Sequence, residues 1–167
     1  AREFDDAILE LRLNEMELGL MVFRTQGDPR AVLAHEAFLL GNPGDWLARE
    51  IVQYWKRVLK RVDVTSRSLV ALVENGSCYA GFLAELLWAS DRSYMMQGAF
   101  EGDNRPEATV ALSAGNFGPF PMGNALTRLQ TRFLAEPETV DALKNRIGEA
   151  LDAEAAMDAG LDRKSVV

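Results

Sequence analysis

Hydrophobic and polar positions change period repeatedly along the chain, and each change marks a candidate element. Phe4, Ala7, Ile8, Leu11 and Met16 fall close to helical spacing, which predicts an amphipathic helix over residues 2–16. Leu18 to Arg24 reads Leu-Gly-Leu-Met-Val-Phe-Arg, the short apolar run of a buried parallel strand, and Gly27-Asp28-Pro29 ends it. Residues 30–40 are mixed, mostly apolar, and hold the only histidine, His35. Gly41-Asn42-Pro43-Gly44 is a strong turn, after which Asp45 can cap a helix. Trp46, Ile51, Tyr54, Trp55, Val58 and Val62 define one face of that helix over 46–62, and Arg49, Lys56, Arg57, Lys60 and Arg61 its other face. Ser68 to Val73 reads as a second buried strand, and a loop through Gly76 leads to a helix over about 80–90. Ser93–Met96 and Thr109–Leu112 are further strand candidates, separated by the polar loop Glu101–Pro106. A helix is expected near Pro121, and a last helical pair over 137–160 around Gly148. Alternation of this kind predicts an α/β layered fold.

Composition narrows the picture. The 167 residues suffice for one domain with its own core. A net charge of −7 argues against a general nucleic-acid binder, which needs a basic stripe, but leaves room for a local patch that holds a phosphate-bearing ligand. One cysteine, Cys78, rules out an internal disulfide framework and fits a reducing, cytoplasmic setting. No apolar run reaches the length of a membrane span, so no membrane partner is expected. The chain opens inside a helical pattern without Met, and Asp162–Val167 shows no periodic logic. The expectation is an incomplete domain over 1–161 and a non-native tail over 162–167.

The segment with most chemical content runs from Gly76 to Arg92: Gly-Ser-Cys-Tyr-Ala-Gly-Phe-Leu-Ala-Glu-Leu-Leu-Trp-Ala-Ser-Asp-Arg. A buried strand passes through a small-residue loop into a helix. Such a loop exposes backbone N–H groups at a helix N-terminus, where they and the helix dipole favour developing negative charge. Glu85 sits about one turn into that helix, within reach of the same mouth, and a carboxylate there can act as general acid or base. The plainer alternative is that Gly81 permits close strand–helix packing and Glu85 is solvated.

These residues resemble the crotonase (enoyl-CoA hydratase/isomerase) superfamily. In that family a glycine-rich loop is followed by a Glu-Leu pair and an Asp six residues beyond the Glu. Glu85, Leu86 and Asp91 keep this interval. Gly118-Pro119-Phe120-Pro121-Met122-Gly123-Asn124, with Arg128-Leu129 after it, resembles a second family segment, and Leu151–Leu161 resembles the close of the core. The resemblance implies an α/β crotonase-like core of repeated ββα units, incomplete at both ends. It also implies an oxyanion-hole-stabilised enolate of a coenzyme A thioester, with coenzyme A arriving as part of the substrate and no other cofactor, and a homo-oligomer in the full-length protein.

The departures point to one branch. The family's triple glycine is Ala80-Gly81-Phe82 here, so the oxyanion donor maps to the N–H of Gly81 or Phe82. Hydratases often carry a second Glu where this chain has Ala114, which makes a standard two-glutamate hydration doubtful. Ser66–Leu69, Gly76–Cys78, Ala89–Met95, Asn116-Phe117-Gly118 and the early Phe4–Leu9 with Leu13–Glu15 resemble the branch that contains benzoyl-CoA-dihydrodiol lyase. That branch implies opening of an epoxidised or dihydrodiol ring on benzoyl-CoA with loss of formate. The family's first donor loop maps to Arg30–Glu36, where the N–H of Leu33 or Ala34 is the candidate. His35 reads as a catalytic base, a thioester contact or a packed side chain. Cys78 reads as a nucleophile or a small buried hydrophobe. Arg30 is a candidate for the phosphates of coenzyme A, whereas Lys56, Arg57, Lys60 and Arg61 read mainly as a solvated face. Glu36 and Glu107 read as solvated. There is no P-loop and no His/Cys cluster with metal spacing, so no metal is expected.

Overall fold

The structure is a computed structural model that describes residues 1–99 and 102–161 and the backbone of Ser165–Val166. Helix α1 (Arg2–Leu13) leads to β1 (Leu20–Arg24), then α2 (Pro29–Gly41) and α3 (Trp46–Asp63). Strand β2 (Ser68–Val73) follows, then the short β3 (Tyr79–Ala80), α4 (Gly81–Ala89) and β4 (Arg92–Met96). Beyond β5 (Val110–Ala111) come a 3-10 helix (Ala114–Phe117), α5 (Arg128–Arg132), α6 (Pro137–Lys144), β6 (Ala150–Leu151), α7 (Ala153–Asp158) and β7 (Ser165–Val166). The larger sheet has the order β1-β2-β4-β7 with every neighbour parallel. The smaller has the order β3-β5-β6, parallel and then antiparallel.

The α/β alternation expected from the sequence is present, and Ser68–Val73 is the strand at the predicted residues. Asp45 caps α3 as its position suggests, accepting from the Ala48 N–H at 2.8 Å. The buried stripe of α3 is Ala48, Val52, Trp55, Val58, Leu59 and Val62, while Trp46 at its first turn is 66% exposed. Helix α4 is apolar on nearly all sides and is buried accordingly.

Residues 30–40, mixed and unassigned in the sequence, lie within α2, started by Pro29 and capped by Asp28, which accepts from the Arg30 N–H. Three expectations need correction. Strand β1 is an edge strand with one open face, so Leu20 and Val22 are exposed while Met21 and Phe23 enter the core. No helix begins at Pro121: the chain makes a turn closed by Met122 N–H to Leu126 O at 2.8 Å, with Ala125 at φ +68°, and α5 starts only at Arg128 behind a Thr127 cap. Glu36 is not solvated but 2% exposed. Of the tail over 162–167, the backbone of Ser165–Val166 pairs in parallel with Met95–Met96 on β4, and the rest lies outside the described residues.

Candidate active site

Strand β3 aims the chain at α2, and α4 begins at once. Gly81, at φ +49°, makes the turn between them, a conformation that side chains with a Cβ rarely adopt. Ala80, just before the helix, offers no side-chain cap, so the first-turn amides of α4 have no partner from their own N-cap. The ring of Phe82 is locked against Trp55 of α3 at 4.6 Å and meets Phe120 and His35 edge-on, both at 6.4 Å. Its backbone N–H is therefore held in place by packing.

Behind this mouth lies a buried ionic network. Glu85 is 1% exposed and accepts on both oxygens: Oε2 from Arg128 Nη1 at 2.7 Å and Oε1 from Asn116 Nδ2 at 2.7 Å. Asn116 Nδ2 also donates to Gly81 O at 2.9 Å, and Asn116 Oδ1 accepts from the Ser113 N–H at 2.8 Å. One amide thus ties the 3-10 helix to the start of α4. Arg128 grips Asp63 of α3 through Nε at 2.8 Å and Nη2 at 2.7 Å, and its Nη1 reaches Phe120 O at 3.1 Å. One guanidinium therefore serves two carboxylates. Burial pushes the Glu85 carboxyl up to about 7, against the pull of Arg128 and Asn116, and raises that of Asp63 as well.

The second buried carboxylate belongs to Glu36 of α2. It faces Gly81 from one side and Gly115 from the other; a Cβ added at these glycines would stand 2.6 Å and 2.5 Å from its oxygens. The Ser113 hydroxyl and the amides of Phe82 and Gly115 lie near enough to draw its pKa down, yet burial outweighs them and raises it. Oε2 completes no hydrogen bond of good geometry with any of the three.

The predicted site residues separate into two groups. Gly81, Phe82, Glu85 and His35 gather where α4 meets α2. Leu33 and Ala34 lie in the fifth and sixth positions of α2, where the N–H groups belong to the helix ladder, so neither is free to bind an oxyanion. Cys78 lies 5% exposed before β3, its N–H bonded to Thr25 Oγ1 at 3.0 Å, and burial pushes its thiol up, which disfavours a thiolate nucleophile. Arg30 is exposed at the start of α2. Asp91, which carries part of the family spacing, anchors β2 by accepting from the Leu69 N–H at 2.7 Å. Ala114 is exposed and offers no carboxylate. Sequence reasoning missed Asp63 and misjudged Glu36; Arg128 and Asn116 entered it only as members of family-like segments. Charged residues at the end of an amphipathic helix, such as Asp63, carry no signal of burial until a partner far along the chain is known.

Clefts elsewhere include one lined by Phe117, Phe133, Leu134 and Val140 and one by Arg24, Glu74 and Arg105; no predicted site residue lines either. Among the described residues no His/Cys/Asp/Glu group is arranged to hold a metal ion, and no helix is long and apolar enough to cross a membrane.

Comparison with known proteins bears on the fold. No protein-family model matches the chain. Benzoyl-CoA-dihydrodiol lyase of Aromatoleum evansii is 48% identical over 161 residues, which is 96% of this chain and 28% of that protein. The chain therefore spans little more than a quarter of the length of this curated relative. Enoyl-CoA hydratase from Geobacillus kaustophilus superposes with a TM-score of 0.61 at 17% identity, over 98% of this chain and 57% of that one. An enoyl-CoA hydratase/isomerase from Cupriavidus metallidurans gives 0.59 at 15% identity, over 99% and 57%. The fold is crotonase-like, and the chain accounts for little more than half of each of these two neighbours.

Proposed function

We propose that the complete protein acts on a coenzyme A thioester of a ring-modified benzoate, an epoxide or dihydrodiol, and opens the ring with loss of formate. The observation that carries this reading is the 48% identity to benzoyl-CoA-dihydrodiol lyase over nearly all of this chain, including the segment that forms the mouth of α4. The chemistry follows from the mouth itself. The uncapped first turn of α4 can hold the thioester oxygen through the N–H of Phe82, with Gly81 supplying the turn that exposes it. Charge that develops on that oxygen as an enolate forms then meets a fixed donor in a site screened from water; losing one such donor costs about 10²–10³ in rate. The substrate brings its own coenzyme A, and Arg30 at the exposed start of α2 is a candidate for its phosphates.

Glu85 acts in this scheme as a positioning residue. Both of its oxygens are bonded, and through Asn116 it sets the Gly81 carbonyl and hence the direction of the neighbouring amide. The test is product analysis. Complete protein incubated with a ring-epoxidised benzoyl-CoA or the corresponding dihydrodiol should consume the thioester and release formate. Simple hydration or hydrolysis of the thioester, without formate, would instead favour another acyl-CoA hydratase, isomerase or hydrolase on this fold, a reading supported by the enoyl-CoA hydratase neighbours. No reaction with any acyl-CoA would favour a noncatalytic structural role.

A further inference from the structure

Glu36 is 98% withdrawn from solvent, forms no ion pair among the described residues, and its Oε2 lacks a hydrogen bond of good geometry. An unpaired carboxylate in such a place is costly and is normally relieved by a partner or by a proton. Two glycines from different parts of the chain, Gly81 on α4 and Gly115 in the 3-10 helix, leave the space that its carboxylate fills. It lies against the Phe82 amide, on the helix start that has no cap of its own. Glu85, the buried carboxylate of the neighbouring network, is bonded on both oxygens, to Asn116 and to Arg128.

From this arrangement we infer that Glu36 is a catalytic residue, the carboxylate that takes up and returns the proton during addition to the acyl group. The inference rests on the thioester reading above. In the addition step the oxygen of a water molecule forms a bond to a ring carbon conjugated with the thioester. The electron pair of the C=C bond moves to the thioester oxygen, held by the Phe82 N–H. One water proton passes to Glu36, which becomes neutral, and the other stays on the new hydroxyl. Collapse of the enolate draws that proton back from Glu36 to carbon and restores the carboxylate. The thioester oxygen and Glu36 share one donor, so binding of substrate moves the carboxylate off the amide and frees it to accept. The ionisable groups near it are Glu85 on α4, with Arg128 of α5 and Asp63 of α3 behind it, and His35, the residue before it on α2. The charge of Glu36 is felt by Glu85.

A competing structural role would make Glu36 only a cap for α4, and stability separates the two. In the complete protein, Glu36→Gln should fold at least as stably as wild type and keep KM nearly unchanged. It should lose about 10²–10⁴ in kcat and lose the acidic limb of the pH–rate profile. Glu36→Asp should keep the limb at reduced kcat. Normal turnover by Glu36→Gln overturns the inference. So does a fall in kcat that tracks a fall in melting temperature with the limb unchanged. If wild type turns over no ring-modified benzoyl-CoA, the proposed function fails on its own, and infrared titration of the free protein then decides Glu36. A carboxyl band that titrates above the ordinary glutamate range and vanishes in Glu36→Gln supports a proton-exchanging role; its absence overturns it.

Discussion

Glu85 on α4 and Glu36 on α2 are equally withdrawn from water, at 1% and 2% exposed, yet the fold treats them in opposite ways. Glu85 is surrounded by donors: a guanidinium on one oxygen, an amide on the other, and a second carboxylate beyond the guanidinium. Glu36 has space made for it by two glycines and stands beside donors without a complete set of bonds. A buried carboxylate that is fully bonded holds other groups in place, whereas one left incompletely bonded is available to exchange a proton or to yield its place to a ligand. Burial alone therefore does not identify the reactive acid; the state of its partners does.

The strongest way to break this contrast is to remove the shared cation. Arg128→Met leaves Glu85 and Asp63 buried without the guanidinium they share and should destabilise the protein by about 3–5 kcal/mol in urea unfolding. A loss below about 1 kcal/mol, the scale of an exposed pair, would show that the network does not organise the fold.

Next in size are the glycines around Glu36. Gly115→Ala and Gly81→Ala each place a Cβ against the Glu36 carboxylate, and overpacking of this kind costs roughly 1–3 kcal/mol. Glu36→Ala should rescue Gly115→Ala almost fully. It should rescue Gly81→Ala only in part, because φ +49° stays strained for alanine. A double-mutant cycle that shows no coupling between residues 36 and 115 would remove Glu36 from that corner.

A smaller effect is expected from pH. Glu36, Asp63 and Glu85 all carry raised pKa values in the fold, Glu85 at about 7 against an ordinary 4.5. The folded state therefore binds more protons than the unfolded chain between these values. The stability these groups contribute is fully present below their ordinary pKa values and is lost as pH rises through the folded ones, so unfolding free energy should decline between pH 4.5 and about 7. Glu36→Gln should flatten part of that slope. A slope that rises over this window would contradict the direction for the whole cluster. Smallest of all, Trp46→Ser on the exposed first turn of α3 should stay within about 0.5 kcal/mol of wild type, while Asp45→Ala one residue earlier should cost about 1 kcal/mol through the lost cap.

The sequence carried the local parts of this molecule well. Ser68–Val73 declares itself by a run of Leu and Val between polar ends, α3 by its periodicity and its aspartate cap, and the start of α4 by the change from strand to small residues to helix. Pro121 misled because proline suits a first helical turn and equally suits a loop; the Ala125 turn and the Thr127 cap decide where α5 begins. Residues 30–40 hid their helix because its buried side is narrow, only Glu36 and Leu39, so the apolar spacing carries little signal. The reversal at Glu36 has the same origin. A glutamate is expected in water unless something meets it, and the groups that meet Glu36 come from residues 81–82 and 113–115. Leu33 and Ala34 failed as donors for a local reason: continuing the helix engages their amides.

The long reach of the Glu85 network also governs when the site can exist. Its bonds join residues 43 and 65 positions apart, Glu85 to Arg128 and Asp63 to Arg128. Closing such loops is slow compared with forming α3 or α4, which need only their neighbours. On the ribosome, Asp63 and Glu85 emerge before Arg128, so both acids precede the cation that joins them. Arrival of α5 supplies the cation to both carboxylates at once. The last charged residue to join the network is thus the one that couples α3 to α4, and the mouth of α4 takes its final shape as that single arginine docks.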